Sequence, residues 1–157
     1  MSMEAKVITV SDGVVAGTRH DKSGVALVEH LTEAGWVVVD HRCIPDGVDS
    51  VKDTLIELCT GFAGLVVTTG GTGFGPRDLT PEGTREVLER EAPGMGEAMR
   101  LVNPNGLGRL SRAVAGTRGT ALILNTPGST NGAIETLDAV LDVAGHALDL
   151  MTGGRPH

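Results

Sequence analysis

An apolar run that passes without interruption into a cluster of glycines limits this chain to a few architectures. Gly64–Thr69, with Leu65, Val66 and Val67 at its centre, is followed at once by Gly70, Gly71, Gly73 and Gly75. A strand with no polar alternation is buried on both faces. That environment belongs to parallel sheets with helices packed above and below. The rest of the pattern agrees. Short apolar runs at Ala5–Val10, Trp36–Ile44 and Ala121–Leu124 alternate with helical periodicity over Lys22–Ala34, Ser50–Cys59, Met95–Val102 and Asn131–Met151. Asp21 is placed to cap the first of these helices, and Gly35 to end it. Thr80-Pro81-Glu82 signals one more helix start, with a hydroxyl cap, proline in the first helical position and an acid in the first turn. That helix is expected to run to about Glu91. Asn103–Gly108 reads as a turn, and Gly116–Gly119 as a turn or broken strand. The expected class is α/β, with a mostly parallel sheet covered on both faces.

At 157 residues the chain is one domain's worth, able to bury roughly 70% of the surface its unfolded form exposes. The domain is expected over residues 1–152, with Gly153–His157 as a flexible tail. Glycine accounts for 23 residues, about twice ordinary usage. Aromatic residues are reduced to Trp36, Phe62 and Phe74, too few for the stacking platforms of a single-strand or RNA binder. The net charge of −7 gives no overall attraction to nucleic acid or anionic membrane. Local phosphate binding by backbone amides remains open to it. Cys43 and Cys59 form no CxxC pair; no zinc or redox motif is indicated, and both are expected to be buried free thiols. The five histidines are scattered, without metal-ligand spacing. With no signal-peptide core and no run of membrane-spanning length, a soluble cytoplasmic protein is expected.

Ligands of open parallel sheets bind beyond the carboxyl ends of the strands. Ser11-Asp12-Gly13, Pro45-Asp46, Gly70–Asp78 and Pro127-Gly128 all fall there. The glycine loop lets the backbone approach an anion closely and point several N–H groups at it. Arg77 can clamp phosphate oxygens, and Asp78 can hold a magnesium ion bridging them. A helix starting at Thr80 would add its positive end. No GKS or GKT follows the glycines and the spacing is not GxGxxG, so neither a P-loop nor a Rossmann site is indicated. For Asp46, cap and ligand are both open readings. Asp12 has the ordinary role of a turn residue, and Asp21 that of a helix cap.

Thr68-Thr69-Gly70-Gly71-Thr72-Gly73 followed by Arg77-Asp78-Leu79-Thr80-Pro81-Glu82 resembles the signature of the MogA/MoaB family of molybdenum cofactor biosynthesis. The resemblance extends to Ser11-Asp12, Asp21–Gly24, Ile44-Pro45-Asp46, Leu110-Ser111-Arg112 and Pro127-Gly128, and so covers nearly the whole chain. It implies a three-layer α/β/α sandwich that assembles as a homotrimer. The implied activity is magnesium-dependent adenylyl transfer from ATP to molybdopterin, releasing pyrophosphate. A molybdate-insertion protein of the same pathway is the implied partner. By resemblance, Asp46 and Asp78 match the functional, metal-holding aspartates, and Gly70, Gly71, Thr72 and Gly73 the phosphate loop. Ser11, Asp12, Thr69, Arg77, Pro127, Gly128 and Ser129 complete the substrate pocket. Family members carry PGxP at the last loop, whereas this chain has Pro127-Gly128-Ser129-Thr130. The rival expectation is a paralogue that binds or carries molybdopterin without adenylylating it.

Overall fold

The computed structural model describes residues 3–154. Six strands form one sheet among the described residues: β1 (Glu4–Val10), β2 (Val37–Ile44), β3 (Gly64–Thr69), β4 (Arg90–Glu91), β5 (Ala115–Arg118) and β6 (Ala121–Thr126), in the order β2-β1-β3-β6-β5-β4. The first four in that order run parallel, and β5 and β4 add an antiparallel edge. The helices are α1 (Asp12–Val15), α2 (Lys22–Glu33), α3 (Val48–Cys59), α4 (Thr80–Arg85), α5 (Pro93–Leu101) and α6 (Thr130–Met151), with a 3₁₀ turn over Leu107–Leu110.

Strand periodicity sorts the core into two layers. Ala5 and Val7 of β1, Leu65 and Val67 of β3, and Leu122 and Leu124 of β6 face α2, α5 and α6, where Leu27, Leu31, Met99 and Leu137 meet them. The alternate residues Ile8, Val10, Val66 and Ile123 face Val51, Leu55 and Leu58 of α3. Full burial of such a leucine contributes about 2 kcal/mol relative to exposure, which explains why β3 carries no polar face to solvent. The result is the expected three-layer α/β/α sandwich.

Local expectations fail where tertiary bonds compete. The helix expected from Thr80 to about Glu91 stops at Arg85, because Arg90 and Glu91 pair with β5 and the Glu89 and Ala92 amides donate to the Thr117 and Ala115 carbonyls. Thr80 does not cap it. Leu79 holds the cap position without a side-chain bond, and the Thr80 hydroxyl donates to the Gly70 carbonyl at 2.9 Å. Ser11-Asp12-Gly13 is not a bare turn; Ser11 caps the short helix α1 by accepting from the Val14 amide. Gly116 lies within β5, and the turn falls at Gly119, whose φ is 57°. Of the two thiols only Cys59 is buried. Cys43 is exposed, because it sits on edge strand β2. Of the tail expected over 153–157, Gly153 and Gly154 return their amides to Leu150 and Asp149 at the end of α6; residues 155–157 lie outside the described residues.

Candidate functional site

Chain connectivity creates a crevice. After β1 the chain crosses to β2 on one side, then returns through α3 to β3 on the other. Their carboxyl ends therefore open a gap between β1 and β3, the point at which doubly wound sheets bind ligands. A cavity of about 760 Å³ lies there. Thr9, Val10 and Ser11 line it from β1, Thr69 to Gly73 from β3, Asp46 from the end of β2, and Pro127 to Thr130 from the β6–α6 connection.

The glycine loop is shaped as its composition requires. Gly70 and Gly71 have φ of 100° and 69°, where a side chain is strained. A methyl group at Gly70 would overlap the Val10 carbonyl oxygen, and one at Gly71 the Thr80 hydroxyl. The Gly70 amide is spent on the Thr126 carbonyl at 3.0 Å. The amides of Gly71, Thr72 and Gly73 have no hydrogen-bond partner among the described residues, and all three residues line the cavity. Three unpaired amides in sequence form an anion-binding concavity. The short helix α4 does not reinforce it, since its first amide donates to the Gly71 carbonyl. The 22-residue α6 does bring its N-terminus to the cavity, through Ser129 and Thr130. Ser129 makes no side-chain cap bond.

Two aspartates flank the loop. The Asp78 carboxylate accepts the Gly75 amide on Oδ2 at 2.9 Å. Asp46 accepts the Asp12 amide on Oδ2 at 2.9 Å, and the Asp46 amide donates back to Asp12 Oδ1 at 3.1 Å. Each of Asp46 and Asp78 thus ties one oxygen to backbone and leaves the other without a partner among the described residues. Arg77 is engaged elsewhere. Its guanidinium forks onto Asp12 at 2.8 and 3.0 Å and also donates to the Asp46 carbonyl at 2.8 Å. Neither Arg77 nor Asp12 lines the cavity. Together they brace the ends of β1 and β2 against the glycine loop. The Arg77 bond holds the Asp12 carboxyl below the usual aspartate range.

Asp46 moves the other way. Burial raises its pKa, and the Asp12 and Asp78 charges add to the rise; the Asp12 amide and Arg77 oppose it. A carboxyl raised in the folded state binds its proton more tightly there than in the unfolded chain. Ionised Asp46 therefore opposes folding at pH 7, and the opposition fades as pH falls through the raised value to the unfolded one. Asp46→Asn is expected to raise Tm at pH 7 by about 2 °C, discounted for partial exposure. The gain should vanish near pH 3. Paired thermal melts of the two proteins across that range measure it, and a lower Tm at pH 7 would contradict the assignment.

The structure adds residues to which sequence alone gives no role. Arg112 donates to the Gly73 carbonyl at 2.9 Å, the Asp78 carbonyl at 2.6 Å and Glu82 Oε2 at 2.6 Å, pinning both ends of the phosphate loop. Its place in the Leu110-Ser111-Arg112 motif is the available signal. Arg19, His20 and Lys22 line the cavity, a basic group no spacing rule marks. Asn103 gives its amide nitrogen to Glu135 at 3.0 Å, while its buried Oδ1 has no partner among the described residues. Thr69 donates to the Pro127 carbonyl at 2.8 Å, and the Asn125 amide nitrogen donates to the Thr68 and Thr84 hydroxyls at 3.0 Å each, tying β3 and α4 to β6.

Known proteins share this sequence pattern and fold. A family model described as a probable molybdopterin binding domain matches residues 6–146. The molybdopterin adenylyltransferase of Escherichia coli (strain K12) is 40% identical over 149 residues, covering 90% of this chain and 75% of that protein. That of Helicobacter pylori (strain J99) is 37% identical over 154 residues, covering 94% and 86%. The crystal structure of the molybdopterin biosynthesis enzyme MoaB from Thermus thermophilus superposes with a TM-score of 0.88 at 45% identity, over 96% of this chain and 97% of that one. With the family match spanning most of its length, this chain belongs to the MogA/MoaB family of molybdenum cofactor biosynthesis.

Proposed function

We propose that this protein transfers the adenylyl group of ATP to the terminal phosphate of molybdopterin. A phosphate oxygen of molybdopterin attacks the α-phosphorus of ATP, the bond to the β-phosphate oxygen breaks, and pyrophosphate leaves. The observation that carries this reading is the meeting of three unpaired amides (Gly71, Thr72 and Gly73) with Asp46 and Asp78, two carboxylates that each keep an oxygen free. The amides suit the phosphates of one substrate. The basic side chains of Arg19 and Lys22 suit the negative charge of the other. Because the nucleophile is already an anion, the protein's task is positioning and charge neutralisation. Arg77 serves that task at second hand by fixing Asp12 and the Asp46 backbone.

The donor set fits magnesium: hard carboxylate oxygens, one on each aspartate without a partner among the described residues, with burial first and then the neighbouring Asp12 and Asp78 charges raising the Asp46 pKa. Asp46 and Asp78 would hold the ion, which when bound screens the two anions and stabilises the charge developing on pyrophosphate. Homotrimeric assembly, a cytoplasmic location and delivery of the product to a molybdate-insertion protein belong to the same proposal. No helix among the described residues is long and apolar enough to cross a membrane.

Incubation with molybdopterin, ATP and magnesium is expected to release pyrophosphate and form adenylyl-molybdopterin. The rate should be flat from about pH 6.5 to 8.5, above the second phosphate pKa near 6, since no protein base takes a proton. A bell centred near pH 7 would contradict that mechanism. Molybdopterin binding without pyrophosphate release would instead support the carrier reading, which Ser129-Thr130 in place of the family's second proline favours.

A further inference from the structure

Away from the aspartate–glycine cluster, three side chains of different donor type converge where β1, β2 and α2 meet. His41 and Cys43 are two residues apart on β2 and share a face. Cys43 stands opposite Thr9 in the β1–β2 register. Asp21 reaches the same spot from the N-cap of α2; its Oδ2 lies 2.9 Å from His41 Nε2 and accepts the Cys43 thiol at 3.3 Å. One ligand atom from each residue falls within 4.8 Å of the other two. The carboxylate is held from behind, since Oδ1 accepts the Thr9 hydroxyl at 2.9 Å and the Gly24 amide at 3.0 Å. Those bonds turn Oδ2 toward the imidazole and the thiol, as outer-shell partners of metal ligands do. β2 is a sheet edge and Cys43 is exposed, so solvent reaches the cluster.

We propose that Asp21, His41 and Cys43 bind a zinc-type transition-metal ion with one coordination position left open. A thiolate, an imidazole and a carboxylate make a mixed S/N/O set that selects Zn²⁺ over Mg²⁺, whereas Asp46 and Asp78 offer only hard oxygens. Binding breaks the Cys43 S–H bond as the sulfur–metal bond forms, and the proton leaves to solvent. His41 and Asp21 contribute lone pairs, and nothing is oxidised or reduced. Thiolate and carboxylate together balance the charge of a divalent ion. Asp21 and Thr9 also line the cavity, so the site occupies its rim. The proposal does not depend on the adenylyl-transfer reading.

Co²⁺ is the probe, because a cobalt–thiolate bond gives a charge-transfer band in the near ultraviolet. Titration of the metal-free protein should produce that band with a stoichiometry of one, and Zn²⁺ should displace it. Cys43→Ser should abolish the band, and His41→Gln should weaken Co²⁺ binding by roughly 10-fold or more. Both positions lie on an edge strand, and circular dichroism checks that each variant is folded. Cys59→Ala and the double variant Asp46→Asn/Asp78→Asn should keep the band. Absence of the band in the unmodified protein would overturn the proposal. So would its survival in Cys43→Ser, its loss in Cys59→Ala or in the double aspartate variant, or unchanged affinity in His41→Gln.

Discussion

Asp78→Asn is expected to lose adenylyl transfer by about 10³-fold or more, the scale seen when a group stabilising transition-state charge is removed. Molybdopterin should still bind. Asp78 performs two tasks with two oxygens. Oδ2 accepts the Gly75 amide, and an asparagine carbonyl can take over that bond. The carboxylate also brings a negative charge to the cavity lining, which asparagine cannot supply. Arg112 holds the Asp78 backbone independently of the side chain, so the loop keeps its place. The loss should therefore fall on turnover and not on Tm. Pyrophosphate release and a molybdopterin binding titration, measured on the same preparation, separate the two. Turnover near that of the unmodified protein would remove Asp78 from the mechanism.

The largest stability loss is expected at Gly70→Ala, about 4 kcal/mol. Backbone strain at a φ of 100° contributes about 1–3 kcal/mol, and overpacking against the Val10 carbonyl adds a similar amount. Backbone cannot swing aside as a side-chain end can, and Val10 is fixed in β1 between β2 and β3. For a chain of this size the Tm should fall by roughly 10 °C. Gly94→Ala is the matched control. It lies in α5 with nothing near the position a methyl would take, and it should be neutral or slightly stabilising. Equal melting of the two variants would show that the tight β1–β3 approach is not a constraint.

Both predictions rest on features legible in the sequence to different degrees. β3 is readable to the residue, because six consecutive buried positions leave no polar alternation to blur its ends. α2 is readable because Asp21 caps it and Gly35 follows it. α4 is not. Its start signal is genuine, but its length is set by bonds to β5, thirty residues further on, which no local pattern contains. Thr80 shows the same limit: a hydroxyl before a proline looks like a cap, yet it serves the carbonyl of Gly70. At the site, Asp46, Asp78 and the glycine loop can be proposed from strand ends and spacing. The partnership of Arg77 with Asp12 cannot, because sequence gives an arginine's charge but not which carboxylate will occupy it. Arg112 is marked only by its place in the Leu110-Ser111-Arg112 motif, because the Gly73 and Asp78 carbonyls it binds carry no sequence signature. Cys43 defeats the expectation of burial because composition does not say which strand lies at the sheet's edge.

The cavity lining is made of two kinds of material. Gly71, Thr72 and Gly73 bring unpaired backbone amides to it, and Met99, Asn103, Leu107 and Leu110 add residues with larger side chains. An amide wall has nothing for a point mutation to resize, so selection acting through side chains cannot easily retune how phosphate is held. The side-chain part of the lining can change one residue at a time. In such a domain the side-chain lining can therefore be reshaped over time while the amide lining keeps its form.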